Sequence, residues 1–122
     1  MGRILLAEDD DSVRAFVRRA LEMDGHEVVE ARDGAEAASV LAGDSHFDLI
    51  LSDIQMPVMD GIALALTVAR DHSAIPLVLM TGYAHQRERA HGLEEIVRDI
   101  VQKPFTLAEI RERVALALRP AA

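Results

Sequence analysis

Five short apolar runs, each followed by residues at helical spacing or by a helix-start signal, set the tightest limit on how this chain can fold. Ile4-Leu5-Leu6-Ala7 reads as a first strand. Val13, Phe16, Val17, Ala20 and Leu21 then repeat at helical spacing until Gly25, a natural stop. Glu27 to Glu30, with Val28-Val29, reads as a short second strand; Asp33-Gly34 reads as a turn and Ala35 to Leu41 as a second helix. Leu49-Ile50-Leu51 is a continuous apolar strand, and Asp60-Gly61 opens a third helix to about Arg70. Pro76 to Met80 is a fourth strand, and a helix follows from about His85. Ile100-Val101 sits in a fifth strand. Thr106 to Leu118 is the last helix, with Thr106 and Glu109 at capping-box spacing. No linker, repeat or low-complexity stretch separates the units. Strands apolar along their whole length suit a parallel sheet covered on both faces. Right-handed crossovers then give an open, doubly wound α/β sheet of five strands and five helices. In such sheets, sites form beyond the carboxyl ends of the strands.

The residues just past those ends are Glu8-Asp9-Asp10, Asp53, Thr81-Gly82 and Lys103-Pro104. Each has an ordinary reading when taken singly. Acidic residues before a helix cap it and favour its positive end, and for Asp10 and Asp11 that is the reading adopted here. A threonine after a strand is commonly a turn residue, and a lone lysine a solvated charge. Their recurrence at matching positions in successive units sets them apart. Of the thirteen cationic side chains, twelve are arginine and Lys103 is the only lysine. An arginine-rich chain that keeps one lysine at this place needs something a guanidinium cannot give.

Clustered carboxylates repel, and each raises the pKa of its neighbours; a divalent cation or an ammonium offsets that cost. Magnesium prefers oxygen ligands and usually takes only one or two carboxylates, together with water and a phosphoryl group. Asp53 would then supply a nucleophilic carboxylate oxygen to form an acyl phosphate. The metal would neutralise the phosphoryl oxygens. Lys103 would hold Asp53 and later a phosphoryl oxygen, and Thr81 would donate to another.

At these residues the chain resembles the response-regulator receiver domains of two-component signalling, typified by CheY. The motifs are Ile4-Leu-Leu-Ala-Glu-Asp-Asp-Asp-Ser-Val-Arg14, Asp48-Leu-Ile-Leu-Ser-Asp-Ile-Gln-Met-Pro-Val-Met-Asp-Gly61, Leu79-Met-Thr-Gly82 and Lys103-Pro-Phe105. The resemblance covers nearly the whole chain. It implies a flavodoxin-like fold with strand order 2-1-3-4-5, phosphorylation of Asp53, and a Mg2+ site (Mn2+ able to substitute) from Glu8, Asp9, Asp53 and the carbonyl of Gln55, with Glu8 acting mainly through water. It also makes Thr81 the switch hydroxyl and Lys103 the essential lysine, with a cis bond to Pro104. Pro57 and Asp60-Gly61 match a loop that shapes the site. The chain departs from the family pattern at Ile100, where an aromatic switch residue is usual; Tyr83, the only tyrosine, is the candidate substitute. The glycine turn usual before the fifth strand is also displaced, to Gly92.

The resemblance implies a sensor histidine kinase or histidine phosphotransferase as phosphodonor and a protein as output partner. Arg87, Arg89 and Arg98 are candidates for the output face. The order Thr81-Gly82-Tyr83 with Ile100 also resembles stand-alone regulators of proteolysis of the CpdR type. Ala121-Ala122 resembles the ends that ClpXP-type proteases recognise. Protease machinery is therefore one expected partner, although an inert tail is the simpler expectation. The chain is expected to be a single domain over residues 1–122 without an output module, and to promote its own phosphorylation and dephosphorylation without being a conventional enzyme. The formal net charge of −8 argues against a nucleic-acid backbone as ligand. The absence of cysteine excludes disulfide and thiolate chemistry. The apolar run after Arg3 is too short for a signal peptide or membrane span, so the expected location is cytoplasmic. One rival is a phosphorylation-independent pseudo-receiver, an interaction module. A second is a flavin carrier or small enzyme, which lacks a glycine-rich phosphate loop after the first strand. A third is a zinc site, for which His26, His46, His72, His85 and His91 lack ligand spacing.

Overall fold

The computed structural model describes residues 2–82, 89, 90 and 92–120. Five parallel strands, β1 (Arg3–Ala7), β2 (Glu27–Ala31), β3 (Leu49–Asp53), β4 (Leu77–Thr81) and β5 (Asp99–Gln102), form one sheet in the order β2-β1-β3-β4-β5. The first strand lies inside the sheet, so the chain winds outward in both directions from it and places helices on both faces. The side-chain alternation of the strands divides the core accordingly. Ile4, Leu6, Leu49, Leu51, Val78 and Met80 pack with α1 (Asp11–Met23) and α4 (Leu107–Ala117). Leu5, Ala7, Ile50, Leu77 and Leu79 pack with α2 (Gly34–Gly43) and α3 (Gly61–Asp71). The interior strands β1, β3 and β4 are buried from Ile4 to Ala7 and at every position of β3 and β4, whereas the edge strands β2 and β5 are part exposed, which is why the interior strands carry the longer apolar runs.

The helices begin where polar caps stand. Asp10 caps α1, accepting from the backbone N–H of Ser12 (2.8 Å) and Val13 (3.1 Å). The helix buries Val17, Ala20 and Leu21, one stripe at three- and four-residue spacing, and ends at Asp24, with Gly25 in the left-handed region at φ 81°. Cutting the fully buried Leu21 back to alanine would cost about 2–5 kcal/mol. Thr106 and Glu109 form the expected capping box at the head of α4.

Asp33-Gly34 is a helix start rather than a free turn. Asp33 caps α2 through the Glu36 N–H, and Gly34 is its first residue. Glycine is required there because a Cβ would stand 2.4 Å from the Met59 carbonyl oxygen, which the Gly34 N–H meets at 2.9 Å. Among the described residues there are four helices where five were expected. The fifth was expected from about His85, and residues 83–88 and 91 lie outside those described. Within that stretch Arg89 and Ala90 are helical, Gly92 takes φ 92°, and residues 94–96 run as turns. Among the described residues no helix is long and apolar enough to cross a membrane.

Candidate functional site

Sheet register assembles the site. Ala7 pairs with Ser52, so Glu8 emerges beside Asp53. Asp53 pairs with Met80, so Thr81 lies one step beyond it, and Thr81 pairs with Gln102, so Lys103 lies one step beyond that. The backbone N–H of Lys103 donates to the Thr81 carbonyl at 2.7 Å. The Lys103–Pro104 bond is cis, as the resemblance implied. Glu8, Asp9, Asp10, Asp53, Gln55, Gly82, Lys103 and Pro104 line an open cavity of about 530 Å³.

Two of the three carboxylates are sunk into the protein. Glu8 is wholly buried and Asp53 nearly so, while Asp9 is exposed. The Lys103 ammonium donates to Glu8 Oε1 at 2.9 Å and lies 3.2 Å from Asp53 Oδ1. The second oxygen of Glu8 accepts from the Asp10 N–H at 3.1 Å, and the backbone N–H of Ile54 donates to Asp53 Oδ1 at 2.9 Å. Burial pushes the Glu8 carboxyl up to about 7; Lys103 pulls against that shift and the Asp53 charge adds to it. Burial likewise raises Asp53, opposed by Lys103. For Lys103, burial works against the ammonium, but its bond to Glu8 and the two carboxylate charges outweigh it and the pKa rises. Two buried acids share one cation, which leaves the site short of positive charge.

That shortage fits a divalent metal. Glu8, Asp9 and Asp53 each offer a carboxylate oxygen, all within 4.8 Å of one another, a hard-oxygen set of the kind magnesium takes. Asp10 is occupied in capping α1, as expected, and Asp11 pairs with Arg14 on that helix. Gln55 is exposed on the cavity wall. Thr81 is fully buried. Ile100 is half-buried and packs on the α2–α3 side of the core. Tyr83 lies outside the described residues, as do His85, Arg87, His91 and the Ala121-Ala122 tail.

The structure adds one role that the motifs did not assign, that of Arg14, which donates to the Glu8 carbonyl at 2.9 Å and so fixes the backbone that carries the acidic pair. It also gives the expected site-shaping role of Asp60-Gly61 its contacts. Gly61 abuts Asp53; a Cβ there would stand 2.1 Å from the Asp53 carbonyl oxygen. The Gly61 N–H donates to Ile54 at 2.8 Å, and Asp60 caps α3 through the Ala63 N–H at 2.9 Å. Between them, Val58 sits at φ 68° with the Met59 N–H donating to the Pro57 carbonyl at 2.7 Å, a γ-turn of the strained, positive-φ kind. Val58 is 86% exposed, so no burial offsets that strain. Two of the arginines expected on an output face are engaged within the molecule. Arg89 pairs with Asp60, and Arg98 donates to the carbonyls of Ala117 and Arg119 at the end of α4. His26 accepts the Gly2 N–H at 2.9 Å, and His72 caps the end of α3.

The fold is a parallel doubly wound sheet with an acidic pocket and a lysine at its carboxyl edge. The family model described as the response regulator receiver domain matches residues 4–115, and the chain belongs to that family. It is the receiver domain of a two-component response regulator. It is 37% identical over 117 residues to the transcriptional regulatory protein PrrA of Mycobacterium tuberculosis, covering 96% of this chain and 50% of that protein. It is 35% identical over 118 residues to the transcriptional regulatory protein SrrA of Staphylococcus aureus, covering 97% of this chain and 48% of that one. The chain thus spans about half the length of these relatives. The structure superposes on the chemotaxis response regulator CheY4 of Vibrio cholerae with a TM-score of 0.85 at 28% identity, covering 96% of this chain and 98% of that one. These relatives are named as transcriptional or chemotaxis regulators, and none of them supports the protease partner expected from the CpdR-type resemblance.

Proposed function

We propose that this receiver accepts a phosphoryl group on Asp53 from a phosphohistidine of a sensor kinase or phosphotransfer protein, with Mg2+ in the acidic pocket, and thereby alters its binding to a protein partner. The observation that carries the reading is the single ammonium of Lys103 held between Glu8 and Asp53 at 2.9 and 3.2 Å, beside a third carboxylate. Asp9, Asp53 and the Gln55 carbonyl would hold the metal, with Glu8 mainly acting through water. When bound, it would supply positive charge to the transferring phosphoryl oxygens.

The chain's own groups account for the rest. Ile54 N–H and Lys103 fix Asp53 Oδ1. The other oxygen is left to form the O–P bond as the donor's N–P bond breaks, and the departing imidazole keeps the electron pair and takes up a proton. Lys103 then offers its ammonium to a phosphoryl oxygen. The Thr81 hydroxyl, at the end of β4, donates to another and draws the segment after Gly82 with it. The bias passes mainly through Tyr83 and the residues that follow, since Ile100 stands where the family has an aromatic. The protein promotes this reaction on itself and is not a conventional enzyme. Magnesium and acetyl phosphate should add one phosphoryl group to the intact mass, on Asp53 and only with metal present. An unmodified mass under those conditions would overturn the reading in favour of the pseudo-receiver alternative.

A further inference from the structure

Asp9 is the exposed member of the three clustered carboxylates, and the main chain on either side of it sets its direction. On one side the Asp10 carboxylate caps α1 and the Asp10 carbonyl accepts the Arg14 N–H at 2.9 Å, so that residue is part of the helix start. On the other side the Glu8 N–H donates to the Ala31 carbonyl at 3.0 Å, and the Glu8 carbonyl accepts from Arg14 Nη1 at 2.9 Å. A peptide unit is planar, so fixing that carbonyl fixes the Asp9 N–H with it and leaves the aspartate little room to turn. Arg14 is itself held firmly. Its side chain is only 13% exposed. Its Nη2 bonds to Asp11, and its Nε lies 3.8 Å from Glu30, which Arg18 in turn grips at 2.9 Å. A planar guanidinium meets a carbonyl and carboxylates in several directions at once, whereas an ammonium on a flexible stem holds no such fixed geometry.

We propose that Arg14 is a positioning residue for the metal: by holding the Glu8–Asp9 peptide it keeps Asp9 aimed into the acidic pocket and so sets the affinity for magnesium. The proposal rests on the reading of Glu8, Asp9 and Asp53 as a magnesium site given above. Ligand position matters because magnesium demands near-ideal octahedral geometry. Groups that orient a metal ligand are accordingly worth a large factor in metal affinity. Simple charge gives the opposite sign. Removing the guanidinium takes a positive charge from beside a cation site and leaves Asp11 and Glu30 less neutralised, and both changes attract magnesium. The direction of the effect therefore separates positioning from electrostatics.

The test is a calorimetric titration of the full chain with magnesium. Arg14→Gln removes the guanidinium and keeps a good helix former. It is expected to bind magnesium about tenfold more weakly than the parent. Arg18→Gln is the control. It takes one charge from the same helix and from Glu30 without touching the Glu8 carbonyl, and should bind as tightly as the parent or tighter. Acetyl phosphate labelling gives a second readout. In Arg14→Gln the magnesium concentration for half-maximal rate should rise by the same factor, while the rate at saturating magnesium stays close to the parent's. A loss of stability alone would lower the melting temperature without producing that split. Should Arg14→Gln fail to fold, Arg14→Lys, which keeps the charge and loses the planar fork, carries the test with the same expected direction. Parental or tighter magnesium binding in the Arg14 variant, a lowered saturating rate at unchanged magnesium affinity, or equal weakening in Arg18→Gln would each overturn the proposal. A parent that binds magnesium beside unchanged variants removes the role of Arg14 and leaves the receiver reading; a parent that neither binds magnesium nor is labelled removes both.

Discussion

The two ends of the same five strands treat charge in opposite ways. At the amino ends, charges are matched. Arg3 bonds to Glu27 and Asp44, each at 2.8 Å, and lies over the Phe47 ring, while its N–H meets Asp48. Arg98 there caps the last helix. At the carboxyl ends, Glu8, Asp9 and Asp53 crowd around Lys103, and two of these acids are driven upward in pKa by burial. The amino end is built for stability. The carboxyl end holds an excess of negative charge that a divalent cation would offset, an arrangement common at functional sites.

The sharpest way to break this contrast is at its centre. Asp53→Asn should abolish phosphorylation by acetyl phosphate, read as the loss of the added phosphoryl mass; continued labelling would move the acceptor elsewhere. Next, magnesium should stabilise the parent, by about 2.7 kcal/mol at a concentration a hundredfold above its dissociation constant. Asp9→Ala should lose that response in thermal melts, and an equal gain in the variant would place the metal outside this pocket.

Lys103→Arg should fold and take up phosphate yet respond poorly. A planar guanidinium keeps the charge but not the compact fit between two carboxylates and an incoming oxygen. Partner binding that depends on phosphorylation to the parental degree would contradict this.

The raised Glu8 pKa gives a smaller, directional effect. Folded Glu8 holds its proton up to about 7, above its ordinary 4.5, so between those values the native state binds more protons than the unfolded chain. Stability of the metal-free protein from this group must therefore fall as pH rises from about 4.5 to 7 and level off above. Carboxylates lowered by their partners, such as Asp24 beside Arg111, act below that window. Glu8→Gln should flatten the slope in melting temperature; an unchanged slope would assign it to another group. The smallest effect belongs to the matched end, where Arg3→Met should lower the melting temperature slightly and leave Asp53 labelling intact.

The contrast also explains what could be read in advance. Central strands show in the sequence because β3 and β4 are buried throughout, and their apolar runs cannot mean much else. Asp53 and Thr81 followed from standing just past those runs, and Lys103 from being the only lysine and standing just past the fifth. Asp33-Gly34 was misread because a cap and a turn share the same residues, and only the carbonyl of Met59, 25 positions on, distinguishes them. The same limit applies to Asp60 with Arg89 and to Arg14 with the Glu8 carbonyl. These contacts join a side chain to a partner set by the tertiary path, and local periodicity carries no trace of them. Arg89 and Arg98 looked available for a partner because a lone arginine in a sequence shows its charge but not its bond.

The two glycines that face backbone carbonyls have a consequence for how such a chain diverges. Gly34 presses on Met59 and Gly61 on Asp53, so the loop between β3 and α3 is clamped at both ends by main chain alone. Its side chain at Val58 is exposed and takes no part in that clamp. Descendants can therefore exchange that residue, and with it the surface a partner meets, while the aspartate stays where it is. Such a loop lets recognition drift at fixed chemistry, with the two glycines as the positions that cannot follow.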